Sequence, residues 1–165
     1  MFTKLRSQKD AYNLLERLFD EHSSNLFRFA YSLLQNSDDA EDAISEVFSK
    51  LAKDINFISK AENPAAYLNK CVRNACYLIM RNRKFEAPQK EQSCYNKDDL
   101  ELQFALLQLP VEQREVVYYK IVEGLSFADI AIRLKIPAGT TSSRYRYAIE
   151  KLASILEDNY VSKQH

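Results

Sequence analysis

Between Tyr67 and Lys84 the chain carries five cations, Lys70, Arg73, Arg81, Arg83 and Lys84, and no carboxylate. Tyr67, Asn74, Tyr77 and, just beyond, Phe85 are interleaved with them. Aromatic faces beside cations stack unpaired bases and neutralise phosphates, the chemistry of single-stranded nucleic-acid binding. A solvated, solubilising helix face is the competing reading of the same charges. Tyr67 shares a helical stripe with Leu68, Cys71 and Val72, so burial explains that residue better. A second cluster, Thr140, Ser143, Arg144, Arg146 and Tyr147, follows Gly139 and combines hydroxyls with guanidinium groups, the donors that read base edges and phosphates of duplex DNA. A third, Asp39, Asp42 and Glu46 beside Val47 and Phe48, suits either a solvated helix start or docking on a basic partner helix.

The composition removes most other chemistry. Two glycines, Gly124 and Gly139, and four prolines in 165 residues leave no raw material for phosphate-cradling or dinucleotide-binding loops, which need several residues at positive φ. Two histidines and three cysteines without a C-x-x-C pair argue against a zinc site, and no nucleophile, metal ligand or Gly-rich pocket accompanies the carboxylates. No enzyme, metal or cofactor is therefore expected. The absence of an apolar run of about 20 residues argues against membrane insertion, and three unpaired thiols suit the reducing cytoplasm. Zero net charge, from 23 basic and 23 acidic side chains, does not exclude nucleic acid, because binding follows the local field of a patch.

These clusters need helices to present them, and apolar residues recur at three- and four-residue spacing nearly throughout. Ala11 to Leu34 reads as helix, broken in two near Ser23. Asn36-Ser37-Asp38-Asp39 supplies capping groups and first-turn carboxylates for a helix with Ala43, Ile44, Val47, Phe48 and Leu51 inside. Pro64 opens another that runs through Ile79 into the basic cluster. Phe85 to Asp99 lacks periodicity and reads as a linker. Beyond it Leu100–Leu109, Glu112–Val122, a short helix capped by Ser126, and a last helix begun at Thr140 are predicted, with Lys135 to Gly139 interrupting and Ile136 buried in the turn. Two short helices joined by such a turn form a helix-turn-helix, whose second helix enters the major groove. Thr141 projects toward the core, where its hydroxyl needs a backbone partner. The predicted fold is all-α: two small helical domains joined by a flexible linker, the second a four-helix helix-turn-helix domain.

The ordered set Asp39-Ala40-Glu41-Asp42-Ala43-Ile44-Ser45-Glu46-Val47-Phe48, Tyr67-Leu68, Arg73-Asn74, Arg81, Leu109-Pro110, Arg114-Glu115-Val116-Val117, Glu123-Gly124-Leu125-Ser126-Phe127, Asp129-Ile130-Ala131, Ile136-Pro137 and Gly139-Thr140 through Ser143-Arg144 resembles the extracytoplasmic-function sigma factors of bacterial RNA polymerase, the smallest members of the sigma-70 superfamily. The resemblance runs from about Leu14 to Leu156 and implies residues 1–84 as sigma region 2, 85–99 as linker and 100–165 as region 4. It further implies that Asp39, Asp42, Glu46 and Phe48 bind core RNA polymerase. The minus-10 promoter element would be bound and melted by Lys70, Arg73, Asn74, Tyr77, Arg81, Arg83 and Lys84, with the loop from Asp54 to Pro64 able to hold a flipped base. The minus-35 element would be read by Thr140, Ser143, Arg144, Arg146 and Tyr147. Core RNA polymerase, promoter DNA and an anti-sigma factor are the expected partners. The sequence departs from the family pattern at Tyr67, where Trp is usual, at Ser45 for Gln, at Leu78 for Asp, at Thr141 for Val and at Ser142 for a basic residue. Two rival readings compete with this one. A helix-turn-helix regulator that never melts DNA accounts only for the last helices. A sigma mimic that sequesters an anti-sigma factor accounts for the uncharged Ser142 but not for Arg81, Arg83, Arg144 and Arg146.

Overall fold

The computed structural model describes residues 8–83, 102 and 104–162, and all regular structure among them is helical. The expected linker, together with Lys84, lies outside the described residues. The chain divides into two compact units, Met1–Gln89 and Lys90–His165.

In the first unit α1 (Gln8–Leu34), α2 (Ser37–Lys53) and α4 (Pro64–Asn82) pack on one another, with the single-turn α3 (Asn56–Ser59) against α4. The predicted break near Ser23 is absent, and α1 is continuous. Ser23 and Ser24 are not helix breakers, no Gly or Pro interrupts the segment, and Leu18 and Leu26 carry one buried stripe across the serines. The helix ends at Gln35, which adopts φ 51° and donates its amide to the Tyr31 carbonyl at 2.7 Å. That left-handed residue turns the chain into α2 within two residues, where the Asn36 side chain accepts from the Asp39 amide at 2.9 Å as an N-cap. Asn63 caps α4 in the same way through the Ala66 amide, and Pro64 occupies the first helical turn. Phe29, Leu33, Ala43, Leu68, Val72 and Cys76 meet at the centre, each with essentially no exposed surface. Truncating Phe29 to alanine there costs about 3–5 kcal/mol in transfer energy and cavity.

The second unit contains a helical turn at 104–107, then α5 (Val111–Ile121), α6 (Phe127–Leu134) and α7 (Ala138–Ser162). Ala105, Leu109, Ala148 and Leu152 form one buried cluster, flanked by Leu106, Val117, Ile155 and Leu156. Gly124 leaves α5 at φ 65°, and the following Leu125 amide returns to the Tyr119 carbonyl. Ser126 caps α6, its Oγ accepting from the Asp129 amide at 3.1 Å. The end of α6 is a Schellman motif: Lys135 sits at φ 55°, its amide reaches Ile132 and the Ile136 amide reaches Ala131. The final helix starts at Ala138, two residues before the predicted Thr140, because the Pro137 carbonyl already accepts the Thr141 amide at 3.1 Å. Gly139 thus belongs to the first turn of α7 rather than to the interruption. Ile136, expected to be buried, is only half-buried.

Candidate nucleic-acid and partner interfaces

On α4 the helical repeat gathers Lys70, Asn74, Tyr77 and Arg81 along one ridge, with Arg73 on its flank. Lys70, Asn74 and Arg81 are exposed, and Arg73 and Tyr77 half-buried. The Arg73 guanidinium lies 4.6 Å from the Tyr77 ring centroid and donates to its hydroxyl at 3.3 Å. This pair presents a cation over an aromatic face, held in place before any ligand arrives. The opposite face of the same helix, Leu68, Val72, Ala75 and Cys76, is buried. Five of the seven residues expected to contact the melted strand therefore share one surface. Arg83 does not: it stands on the other side of the helix, where it donates to the Leu34 carbonyl at 3.3 Å and pairs with Asp39.

Between α2 and α4 lies an open groove of about 350 Å³ whose walls include Glu46, Lys50, Tyr67, Cys71, Asn74 and Leu78. Burial pushes the Tyr67 hydroxyl up from its ordinary pKa, assisted by its hydrogen bond with Cys71. Burial also raises the Cys71 thiol, against the opposing pull of that hydrogen bond and of Lys70 and Lys50. Both groups are neutral at physiological pH, so this wall of the groove carries no anion from them. Tyr67 is half-buried at the groove rather than closed inside the core.

The acidic helix α2 has its carboxylates in different situations. Asp42 is exposed, Glu46 is half-buried and holds Lys50 at 2.6 Å, and Asp39 is engaged by Arg83. Phe48 is 8% exposed and packs edge-to-face on Phe19, ring centroids 5.1 Å apart. The aromatic surface at this place belongs to Phe19, which is 45% exposed and borders a second groove of about 570 Å³ with Phe27, Arg28, Glu41, Ile44 and Ser45. Phe19 follows Leu15 at the four-residue spacing of a helical stripe, a pattern that by itself suits a core position. The α1–α2 pairing that turns it outward leaves no mark in a single helix pattern.

In the second unit α6 and α7 are fixed against α5 by polar as well as apolar contacts. Arg133 pairs with Glu123 and lies 5.0 Å from the Tyr119 ring, while Lys120 sits 4.7 Å over Phe127 and donates to the Leu125 carbonyl. Phe127 in turn meets Tyr145, centroids 5.5 Å apart. Thr141 is fully buried, and its hydroxyl donates to the Pro137 carbonyl at 3.3 Å, the backbone partner its position requires. Thr140, Ser143 and Arg144 are half-buried, and Arg146 and Tyr147 exposed. Arg146 lies 5.0 Å from the Tyr147 ring and 3.9 Å from Glu150. Ser142 is exposed, its hydroxyl donating to the Gly139 carbonyl. The start of α7 thus carries half-buried Thr140, Ser143 and Arg144 and exposed Arg146 and Tyr147 on a braced helix pair, hydroxyl and guanidinium donors of the kind that can read a major groove.

Among the described residues no three His, Cys, Asp or Glu side chains gather as a metal site, and no helix is long and apolar enough to cross a membrane.

The two units correspond to two known families. Residues 18–86 match the family model for Sigma-70 region 2, and residues 99–152 that for Sigma-70, region 4. The chain is 30% identical over 164 residues to the ECF RNA polymerase sigma factor SigL of Mycobacterium tuberculosis, covering 91% of this chain and 93% of that protein. It is 30% identical over 149 residues to SigM of the same species, covering 86% and 76%. Among solved structures, the sigma factor RpoE of Bartonella quintana, crystallised with the anti-sigma factor NepR, superposes with a TM-score of 0.70 at 25% identity, covering 86% of this chain and 96% of that one. With both sigma regions in order on a matching helical frame, the chain belongs to the extracytoplasmic-function RNA polymerase sigma factors of the sigma-70 superfamily, which direct RNA polymerase to promoters.

Proposed function

We propose that this sigma factor divides its work by helix: α2 with the adjoining Phe19 surface docks on core RNA polymerase, the α4 ridge captures the unpaired minus-10 strand, and the start of α7 reads the minus-35 duplex. Residues 1–84 then act as region 2, 100–165 as region 4 and 85–99 as their linker. The protein works in the cytoplasm as a non-enzymatic initiation factor, and an anti-sigma factor holds it in reserve. The observation that carries this reading is the ridge of Lys70, Asn74, Tyr77 and Arg81. A regulator of duplex DNA alone has no use for a stacking surface with cations on a helix remote in sequence from its helix-turn-helix. The exposed Arg146 and half-buried Arg144 likewise give a pure anti-sigma decoy no purpose for a DNA-facing α7.

Transcription in vitro with sigma-free core polymerase on a pool of random promoters tests the reading. Transcripts that depend on the protein and share an upstream and a downstream sequence element are expected. A protein that shifts duplex DNA without polymerase and yields no transcripts would be a regulator instead.

A further inference from the structure

Arg83 belongs by sequence to the basic cluster, and its side chain keeps 37% of its surface exposed, yet its guanidinium is engaged by partners within the protein. It reaches the carbonyl of Leu34, the last residue of α1, at 3.3 Å, and pairs with Asp39 in the first turn of α2. Both partners are places where a cation is favoured. The end of α1 carries unsatisfied carbonyls and the negative pole of the helix dipole, and Asp39 is a carboxylate. The corner they form is tight, because only Gln35, at positive φ, and the cap Asn36 separate the two helices. Arg83 therefore ties the end of α4 to the α1–α2 corner. Its backbone amide, bonded to the Ile79 carbonyl at 2.9 Å, closes the last turn of α4.

That last turn also carries Arg81, at the end of the outward ridge. Helix termini fray unless something holds them, and a frayed turn would release Arg81 from line with Lys70, Asn74 and Tyr77. We propose that Arg83 is a positioning residue: its latch to Asp39 and Leu34 holds the final turn of α4 so that Arg81 faces the melted strand, and Arg83 itself does not touch DNA. Asp39 is then the other half of the latch rather than a polymerase contact. The assignment rests on the α4 ridge being the strand-binding surface.

Three full-length variants test it, Arg83→Gln, Asp39→Asn and the two combined; the combination leaves neither charge without its partner, so folding is preserved for comparison. Promoter opening is followed with holoenzyme at saturating sigma, so that polymerase occupancy is equal, on closed and pre-melted linear templates of a promoter selected with the wild-type protein. Each single change is expected to slow opening of the closed template by about three- to tenfold, the double to be no slower than either single, and the pre-melted template to recover most of the activity. Additive effects of the two changes, or slower opening with Arg83→Gln but not with Asp39→Asn, would overturn the latch. So would a fall of about 0.7 in the salt slope of strand binding for Arg83→Gln alone, the mark of a direct phosphate contact. In the free protein, hydrogen exchange at the amides of residues 79–83 should accelerate in both singles, and unchanged exchange contradicts the latch whatever the transcription result. A wild-type holoenzyme that opens no promoter would count against the strand-capture reading, leaving the exchange measurement to decide on the latch.

Discussion

At the start of α7, proposed above to read the minus-35 duplex, one exposed position carries no charge. Ser142 is exposed and makes only a local bond to the Gly139 carbonyl, at a position where the family usually carries a cation. Ser142→Arg should therefore add a phosphate contact, tightening promoter binding by holoenzyme and steepening the dependence on log salt by about 0.9. An unchanged slope would mean the side chain faces away from the backbone. Arg144→Ala with Arg146→Ala should have the reverse effect. Each arginine that bonds a base edge should cost about 1–3 kcal/mol when truncated, and each that bonds a phosphate should leave a shallower slope. Filter binding or anisotropy with holoenzyme at two or more salt concentrations measures both. At this scale the sequence is legible wherever a side chain's role follows from its own helix. The repeat alone puts Thr141 inside and Lys70, Asn74, Tyr77 and Arg81 on one ridge. Arg83, two residues beyond Arg81, lies on the far side by the same arithmetic, but its pairing with Asp39 needs two helices that a linear pattern cannot bring together.

Elements are held to their task by their ends as much as by their faces. The turn between α6 and α7 places Lys135 in the left-handed region, which a Cβ disfavours by about 1–2 kcal/mol and glycine does not. Lys135→Gly should stabilise the protein by up to about 1 kcal/mol after its own entropy cost, read from denaturant unfolding; a loss of stability would show that the side chain has a packing role. The only glycine near this turn in the sequence, Gly139, points to the wrong position, because left-handed caps are commonly glycine and this one is not. The unbroken α1 is hidden from the sequence for a related reason. A pair of serines resembles a boundary locally, and only the shared core with α2 and α4 makes continuation favourable. Of the three α2 carboxylates expected to meet the polymerase, exposed Asp42 and half-buried Glu46 are the two that Arg83 does not engage, and they are the ones proposed to orient a basic partner. Asp42→Lys with Glu46→Lys should slow association with core polymerase about tenfold at low salt, the difference shrinking as salt rises. Stopped-flow competition against a labelled sigma factor would show it, and an unaltered rate would move the docking surface elsewhere.

For the molecule as a whole, a net charge of zero is compatible with the two DNA-directed surfaces proposed above, one for a melted strand and one for a duplex. Each is built on a helix whose other face is core, so that folding itself presents the ridge. Strand capture is what separates an initiation factor from a duplex-binding regulator, since unpairing costs a few kcal/mol per step and must be offset by contacts made only after opening. Asn74 and Arg81 are exposed on that ridge and carry no core packing, so removing them should spare the fold. The decisive measurement compares wild type with the Asn74→Ala, Arg81→Ala variant in transcription from a closed linear promoter and from the same promoter carrying a mismatch bubble over the minus-10 element. The variant should lose nearly all activity on the closed template and regain most of it on the bubble. Equal activity of variant and wild type on the closed template would contradict strand capture by α4.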